Sequence, residues 1–288
     1  MVKVAVLGMG LMGSPMVVNL FNNDIDVIAY NRSPEKLATL QSKGIHITSN
    51  SEDAIAFADC VILMLSDYPA IQEILIDRNV NLKNKTVIQM GTIAPDESKK
   101  LSEQVIDRGG EYFEAPVLGS IPEVKSGKLL VMVGSTPEQF EQWRSLLGYF
   151  SPEPLLVGEV GRAAALKLAL NQMIAGLTST FALSLSFIQQ QDVDIDIFMN
   201  ILRDSALYAP TFDKKLTRMC DRNFANPNFP SKHLLKDIKL FLTSAEKMNL
   251  NTEALQGIES IVTQTVKNNF ANSDYSALIE GIKMGNSE

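Results

Sequence analysis

Up to about residue 157, short apolar runs alternate with helical patterns, and "VKVAVLG", "DVIAY", "CVILML", "TVIQM", "EYFEAP", "LLVMVG" and "PLLVG" each read as a strand. Most are apolar on both faces, as strands are when helices cover a parallel sheet on either side. Helix starts lie between them. Ser33-Pro34-Glu35 offers a cap followed by proline, and Thr136-Pro137-Glu138-Gln139 has the form of a capping box. The alternation predicts an α/β fold whose N-terminal part is a doubly wound parallel sheet.

From Gly161 onward the strand signal vanishes and the pattern is helical almost to the end. "GRAAALKLALNQMIAGLTSTFALSLSFIQQQ" predicts one long helix, too apolar to stand alone in water. The expected organisation is a sheet domain over residues 1–160 and an all-α domain over 161–288, joined through that helix. Its apolar surface must be covered by its own domain, by a second subunit or by both, so a homodimer or homotetramer is expected.

Composition narrows the classes of function. The 288 residues carry 26 Lys+Arg against 33 Asp+Glu, a net charge of -7, which disfavours a broad electrostatic grip on nucleic acid or anionic lipid. Cys60 and Cys220, with His46 and His233, make neither a disulfide framework nor a zinc-ligand spacing, so no metal is expected and the cysteines read as small buried hydrophobes. No apolar run is expected to reach the length of a bilayer span, and glycine breaks the opening "MVKVAVLG" too early for a signal peptide. The expectation is a cytoplasmic protein with neither nucleic-acid nor membrane partners.

The first strand runs directly into "GMGLMG", with Gly8, Gly10 and Gly13 in G-x-G-x-x-G spacing and Met9, Leu11 and Met12 completing the loop. Strand, glycines and helix in that order supply what a pyrophosphate needs: a tight turn, a close backbone approach and a helix N-terminus aimed at the anion. The sheet domain is thus expected to be Rossmann-type. After the second strand, the carboxylate that would hold the 2′-hydroxyl of NAD is absent, and Asn31-Arg32-Ser33 stands there instead. Guanidinium donors suit a 2′-phosphate, which favours NADP(H) and leaves NAD(H) possible. The alternative is a solvated arginine on a loop leading to a helix cap. Lys167 poses a similar choice: its ammonium sits among alanines and leucines, either with its stem lying along apolar surface or with a task, and Asn171 follows on the same helix face.

Taken together, "VLGMGLMGSPMVVNL", "YNRSPEKL", "MLSD" (64–67), "GTIAPDES" (91–98), "EAPVLGS" (114–120), "GRAAALKLALN", "KHLLKDIKL" (232–240) and "DYSALIE" (274–280) span nearly the whole chain in order. In them the chain resembles the β-hydroxyacid dehydrogenase family. That family includes 3-hydroxyisobutyrate dehydrogenases, tartronate semialdehyde reductases and glyoxylate/succinic semialdehyde reductases, with 6-phosphogluconate dehydrogenase as a larger relative. The resemblance implies NADP(H)-dependent hydride transfer between a small semialdehyde or 2-oxo acid and its hydroxyacid. It implies Lys167 as the catalytic lysine with Asn171 beside it, Thr92 near the nicotinamide, Leu65 and Ser66 lining the cofactor, and Lys236 closing over the site. It also implies that the Gly119 and Ser120 amides receive a substrate carboxylate.

Two departures stand out. Leu118 replaces a serine of the substrate turn, and Gly91 replaces a serine before Thr92, a change expected only to loosen the cofactor turn. Without the resemblance, "GTIAPDES" is equally a plain strand-to-helix turn, and Lys232, Lys236 and Lys239 a solvated stripe. Two rival functions remain: a non-catalytic dinucleotide-binding scaffold, which has no need of the Lys167 and Asn171 pair, and an imine or bulkier-carbonyl reductase of the same architecture, in which the lysine is usually replaced.

Overall fold

Val4 and Val6 face one side of the first strand and Ala5 and Leu7 the other, and all four are fully buried. This two-sided burial recurs along the sheet and explains why its strands read as unbroken apolar runs. The computed structural model describes residues 2–282. The strands are β1 (Lys3–Leu7), β2 (Asp26–Tyr30), β3 (His46–Thr48), β4 (Cys60–Leu63), β5 (Thr86–Gln89), β6 (Glu111–Glu114), β7 (Val117–Leu118), β8 (Leu130–Gly134) and β9 (Leu155–Gly158). They form one sheet in the order β3-β2-β1-β4-β5-β6-β8-β7, with β9 paired to β8.

The strands from β3 to β6 are all parallel, and Ala5, for example, lies level with Ile28 on one side and Val61 on the other. The helices of this unit are α1 (Gly13–Asn22), α2 (Ala38–Gln41), α3 (Ser51–Phe57), α4 (Tyr68–Ile71), α5 (Pro95–Ile106), α6 (Ile121–Lys125) and α7 (Pro137–Leu147). They make two cores. Met16, Leu20 and Trp143 pack on one with Val4 and Val6, and Ile55, Leu75 and Leu101 on the other with Ala5 and Leu7.

Several details differ from the expectation. Beyond β6 the sheet reverses, because β8 runs antiparallel to both β6 and β7, and the sheet is therefore mixed at one edge. A run of apolar residues carries no sign of its direction. β3, half exposed and three residues long, is too short to leave a pattern. The Thr136 box forms, with the Gln139 amide donating to Thr136 Oγ1 and the Thr136 amide to Gln139 Oε1, each at 3.3 Å. Ser33 makes no side-chain cap, and Pro34–Lys36 is only a 3₁₀ turn.

The chain packs as two compact units, Met1–Lys167 and Leu168 onward, and the division falls inside α8 (Arg162–Gln190). The second unit contains α9 (Ile195–Arg203), α10 (Pro210–Cys220), α11 (Ser231–Glu246), α12 (Glu253–Thr265) and α13 (Leu278–Ile282). Its core gathers Ala175, Phe181 and Leu185 of α8 with Met199, Phe212 and Leu278, and the Phe181 and Phe212 rings stack at 4.8 Å. α8 corrects one expectation. By length and composition alone it is long and apolar enough to cross a membrane, yet 44% of its apolar stretch is buried in the protein. It is the central helix of the second unit's core.

A buried ion pair ties the end of this unit to α10. Lys215 Nζ lies 2.8 and 3.0 Å from the two oxygens of Asp274 and 4.1 Å from the centroid of the Tyr275 ring. Burial by itself would push the Asp274 carboxyl up, but the Lys215 ammonium and the Ser276 hydroxyl and amide outweigh it and hold it below the ordinary carboxylate range. A carboxyl depressed in the folded state stabilises the fold above its unfolded pKa, and that contribution is lost as pH falls through the folded value. Asp274→Asn should therefore cost about 3–5 kcal/mol near neutrality by leaving an uncompensated buried ammonium. Urea unfolding across a pH series should show the gap from the parent protein narrowing below about pH 4, the ordinary carboxylate range.

Candidate active site

The glycine loop is dictated by close backbone approach. Gly8 follows β1 with φ +110°, and a Cβ there would run into the Met64 carbonyl oxygen. A Cβ on Gly13 would run into the carbonyl of Gly8, whereas one on Gly10 would meet nothing within 4 Å. Two glycines thus bring the backbone together and the third leaves open space beside it. α1 begins at this point, its N-cap Met12 making no side-chain cap, and Pro15 in its first turn carries no amide hydrogen. The cradle fits a dinucleotide pyrophosphate. Of the loop side chains, Met9 is buried in the core and Leu11 is exposed.

Asn31 braces the loop from the end of β2. Its Oδ1 accepts from the Met9 amide at 3.0 Å and its Nδ2 donates to the Ser33 carbonyl at 3.0 Å. Arg32 reaches into solvent, 80% exposed, with Nη1 3.5 Å from Glu73 Oε2. A pair this open is worth little and leaves the guanidinium available. Ser66 Oγ donates to Asp67 Oδ2 at 2.9 Å, while Asp67 Oδ1 caps α4 through the Ala70 amide. Leu65 precedes them, and its carbonyl oxygen would lie 2.7 Å from a Cβ on Gly91. Gly91 therefore does not loosen the turn before Thr92. It lets the loops after β4 and β5 approach more closely than a serine would allow. All these segments leave the carboxyl ends of parallel strands, where doubly wound sheets bind their ligands.

The turn after β7 differs from the expectation that its amides stand free. Gly119 stands at φ +139° after β7, but the Ser120 amide and hydroxyl both donate to Glu123 Oε2, at 2.8 and 2.6 Å. Ser120 is the N-cap of α6, and its amide is already held by the helix's own acid. Leu118, beside it, pairs with Leu130 across the β7–β8 ladder.

On α8, Lys167 is 8% exposed and Asn171 is 2% exposed. Within the second unit, Asn171 Nδ2 donates to Asp237 Oδ2 at 2.6 Å, and Asp237 Oδ1 lies 3.0 Å from Lys236 Nζ. An ionised carboxylate only accepts, so it fixes which end of the Asn171 amide faces it. Asn171 Oδ1 is left buried with no partner among the described residues. Lys236 thus meets Asn171 through Asp237, a residue sequence reasoning passed over. The signal was there, a lone acid inside "KHLLKDIKL", of the same kind as the lone lysine in α8. A second acid passed over is Glu114, which accepts from the first turn of α8. Among the described residues no cluster of three or more His, Cys, Asp or Glu side chains could hold a metal ion.

A glycine cradle opening onto an uncapped helix start, at the carboxyl edge of a parallel sheet, defines a dinucleotide-binding protein of the Rossmann class. Residues 3–158 match the family model described as the NAD binding domain of 6-phosphogluconate dehydrogenase, and residues 161–282 the one described as NAD-binding of NADP-dependent 3-hydroxyisobutyrate dehydrogenase. The chain belongs to the β-hydroxyacid dehydrogenase family. It is 28% identical to glyoxylate/succinic semialdehyde reductase 2 of Arabidopsis thaliana, over 99% of this chain and 81% of that protein. It is also 28% identical to 2-hydroxy-3-oxopropionate reductase of Escherichia coli, over 98% and 97%. Its fold matches that of Mycobacterium tuberculosis 3-hydroxyisobutyrate dehydrogenase with a TM-score of 0.87, at 20% identity, covering 99% of this chain and 100% of the other. The protein is an oxidoreductase that uses a nicotinamide dinucleotide.

Proposed function

We propose that this protein is an NADP(H)-dependent reductase of small semialdehydes or 2-oxo acids, acting in reverse on the corresponding hydroxyacids, with Lys167 as general acid and base. The observation that carries this reading is the buried Lys167, followed one helical turn later by an asparagine amide that Asp237 orients. A scaffold that only bound the dinucleotide would have no use for this arrangement. The bound cofactor supplies or accepts the hydride.

During reduction, negative charge grows on the carbonyl oxygen and the Lys167 ammonium gives it a proton; in oxidation the amine takes the hydroxyl proton. Asn171 presents only its oxygen, so its part is to accept a hydrogen bond, from the hydroxyacid's hydroxyl or from the ammonium itself. The exposed Arg32 guanidinium takes the 2′-phosphate. With Leu118 in place of a hydroxyl and the Ser120 amide engaged by Glu123, a substrate carboxylate falls to the Gly119 amide. The preferred aldehyde therefore carries a longer or less polar tail than glyoxylate. The chain assembles through an outer surface of its helical unit, where Met173, Leu183 and Phe187 of α8 and Ile197 and Ile201 of α9 are each more than half exposed.

A panel of NADPH oxidation assays with glyoxylate, succinic semialdehyde, tartronate semialdehyde and methylmalonate semialdehyde tests the activity. Lys167→Ala should lower kcat by about 10²–10⁴ on the best of these and leave NADPH binding, followed by fluorescence, nearly unchanged. A variant keeping more than a tenth of the activity would refute the role given to the lysine. Arg32→Ala should raise KM for NADPH about tenfold or more, the scale of a lost charge-assisted bond, and leave that for NADH alone. Equal use of the two cofactors by the parent protein would end the NADP(H) assignment. Light scattering at micromolar concentration should report two or four chains, and a 31.7 kDa particle would rule out assembly.

A further inference from the structure

α8 starts without a cap of its own. Gly161, at φ +95°, turns the chain into the helix and has no side chain to offer its amides. The acceptor comes instead from the end of β6. Glu114 Oε2 accepts from the Gly161 amide at 2.9 Å, and Oε1 from the Ala164 amide at 2.8 Å, across 47 and 50 positions of sequence. The Ser98 hydroxyl of α5 also donates to Oε2 and lies 2.8 Å from the Tyr112 hydroxyl. Glu114 is 1% exposed. Gly134 of β8 makes room for it, since a Cβ there would stand 2.5 Å from Oε1. Burial pushes the carboxyl up from its usual range, against the Ser98 hydroxyl and the Ala164, Gly161 and Ala163 amides, which favour the anion.

A side chain at position 161 is no substitute, because φ there is +95° and a Cβ would stand 2.7 Å from Lys99 Cε. What the buried arrangement adds is location, because it bolts the first turn of α8 to β6 and α5 at once. Lys167 follows Ala164 by three residues, about 4.5 Å of helix rise. We propose that Glu114 is a positioning residue for the reaction, setting the height and rotation of the first two turns of α8 and so the point from which the Lys167 side chain departs. This rests on the reading of Lys167 as the proton donor. A displacement of about 1 Å at a reacting group lowers rates by up to 10².

Glu114→Gln keeps the shape but turns an NH₂ group toward donors. It should lower kcat about tenfold to a hundredfold, while KM for NADPH and the stoichiometry of bound NADPH stay those of the parent. Glu114→Asp, which keeps the charge, should recover part of the loss. The deciding measurement is a double-mutant cycle. Added to Lys167→Ala, Glu114→Gln should cause less than about a twofold further loss, because the group it positions is gone. An unchanged kcat in Glu114→Gln, or a loss that adds in full to that of Lys167→Ala, would overturn the proposal. Should Lys167→Ala stay active, it is the reading of the lysine that fails, whatever Glu114 does. If Glu114→Gln does not fold, Ser98→Ala takes its place in the same cycle. Its expected loss is about threefold in the parent and none in the Lys167→Ala background, and no loss in the parent would overturn the proposal.

Discussion

An α-helix begins with amides that no turn of its own can satisfy, and where their acceptors come from organises this molecule. The end carries about half a positive charge and attracts anions. At α1 the chain supplies no side-chain cap and clears the approach with glycines, which leaves room for an anion at that end. At α8 the chain supplies a buried carboxylate of its own. Both helices follow a glycine with positive φ close to the turn, Gly8 before one and Gly161 before the other. One start is left open for a ligand's phosphate, and the other is closed to hold a side chain still.

The parts legible in the sequence are those whose cause is local. The glycine spacing, the apolar strands and the spacing from Lys167 to Asn171 each lie within one turn or one element. What escaped was contact across the chain. Asp237 meets Asn171 from 66 positions away, and Glu114 meets Ala164 of α8 from 50. Nothing around either residue in the sequence names its partner. Strand direction escaped for a related reason, since β8 is as apolar as a parallel strand and only its pairing shows the reversal. Ser120 is a different case: Ser120-Ile-Pro-Glu123 has the spacing of a capping box, and its partners lie within one turn of sequence.

Gly91 and Leu118, where the family resemblance implies serines, act through space as much as through a lost hydroxyl. Gly91 permits two loops at the cofactor edge to close on each other through backbone alone. Leu118 puts an apolar group next to a turn whose next amide is already bonded. That turn therefore offers one free amide fewer, and the loops after β4 and β5 stand closer together.

The Lys215–Asp274 pair has a consequence for how the chain is made. Its partners are 59 residues apart, and both are buried once joined. At about 5–20 residues per second, a ribosome releases Lys215 several seconds before Asp274. Through that interval the ammonium has no counter-charge and must stay in water, which holds α10 away from the position it finally takes. Burial of Lys215, and with it the final seat of its part of α10, is therefore favourable only after residue 274 has been made.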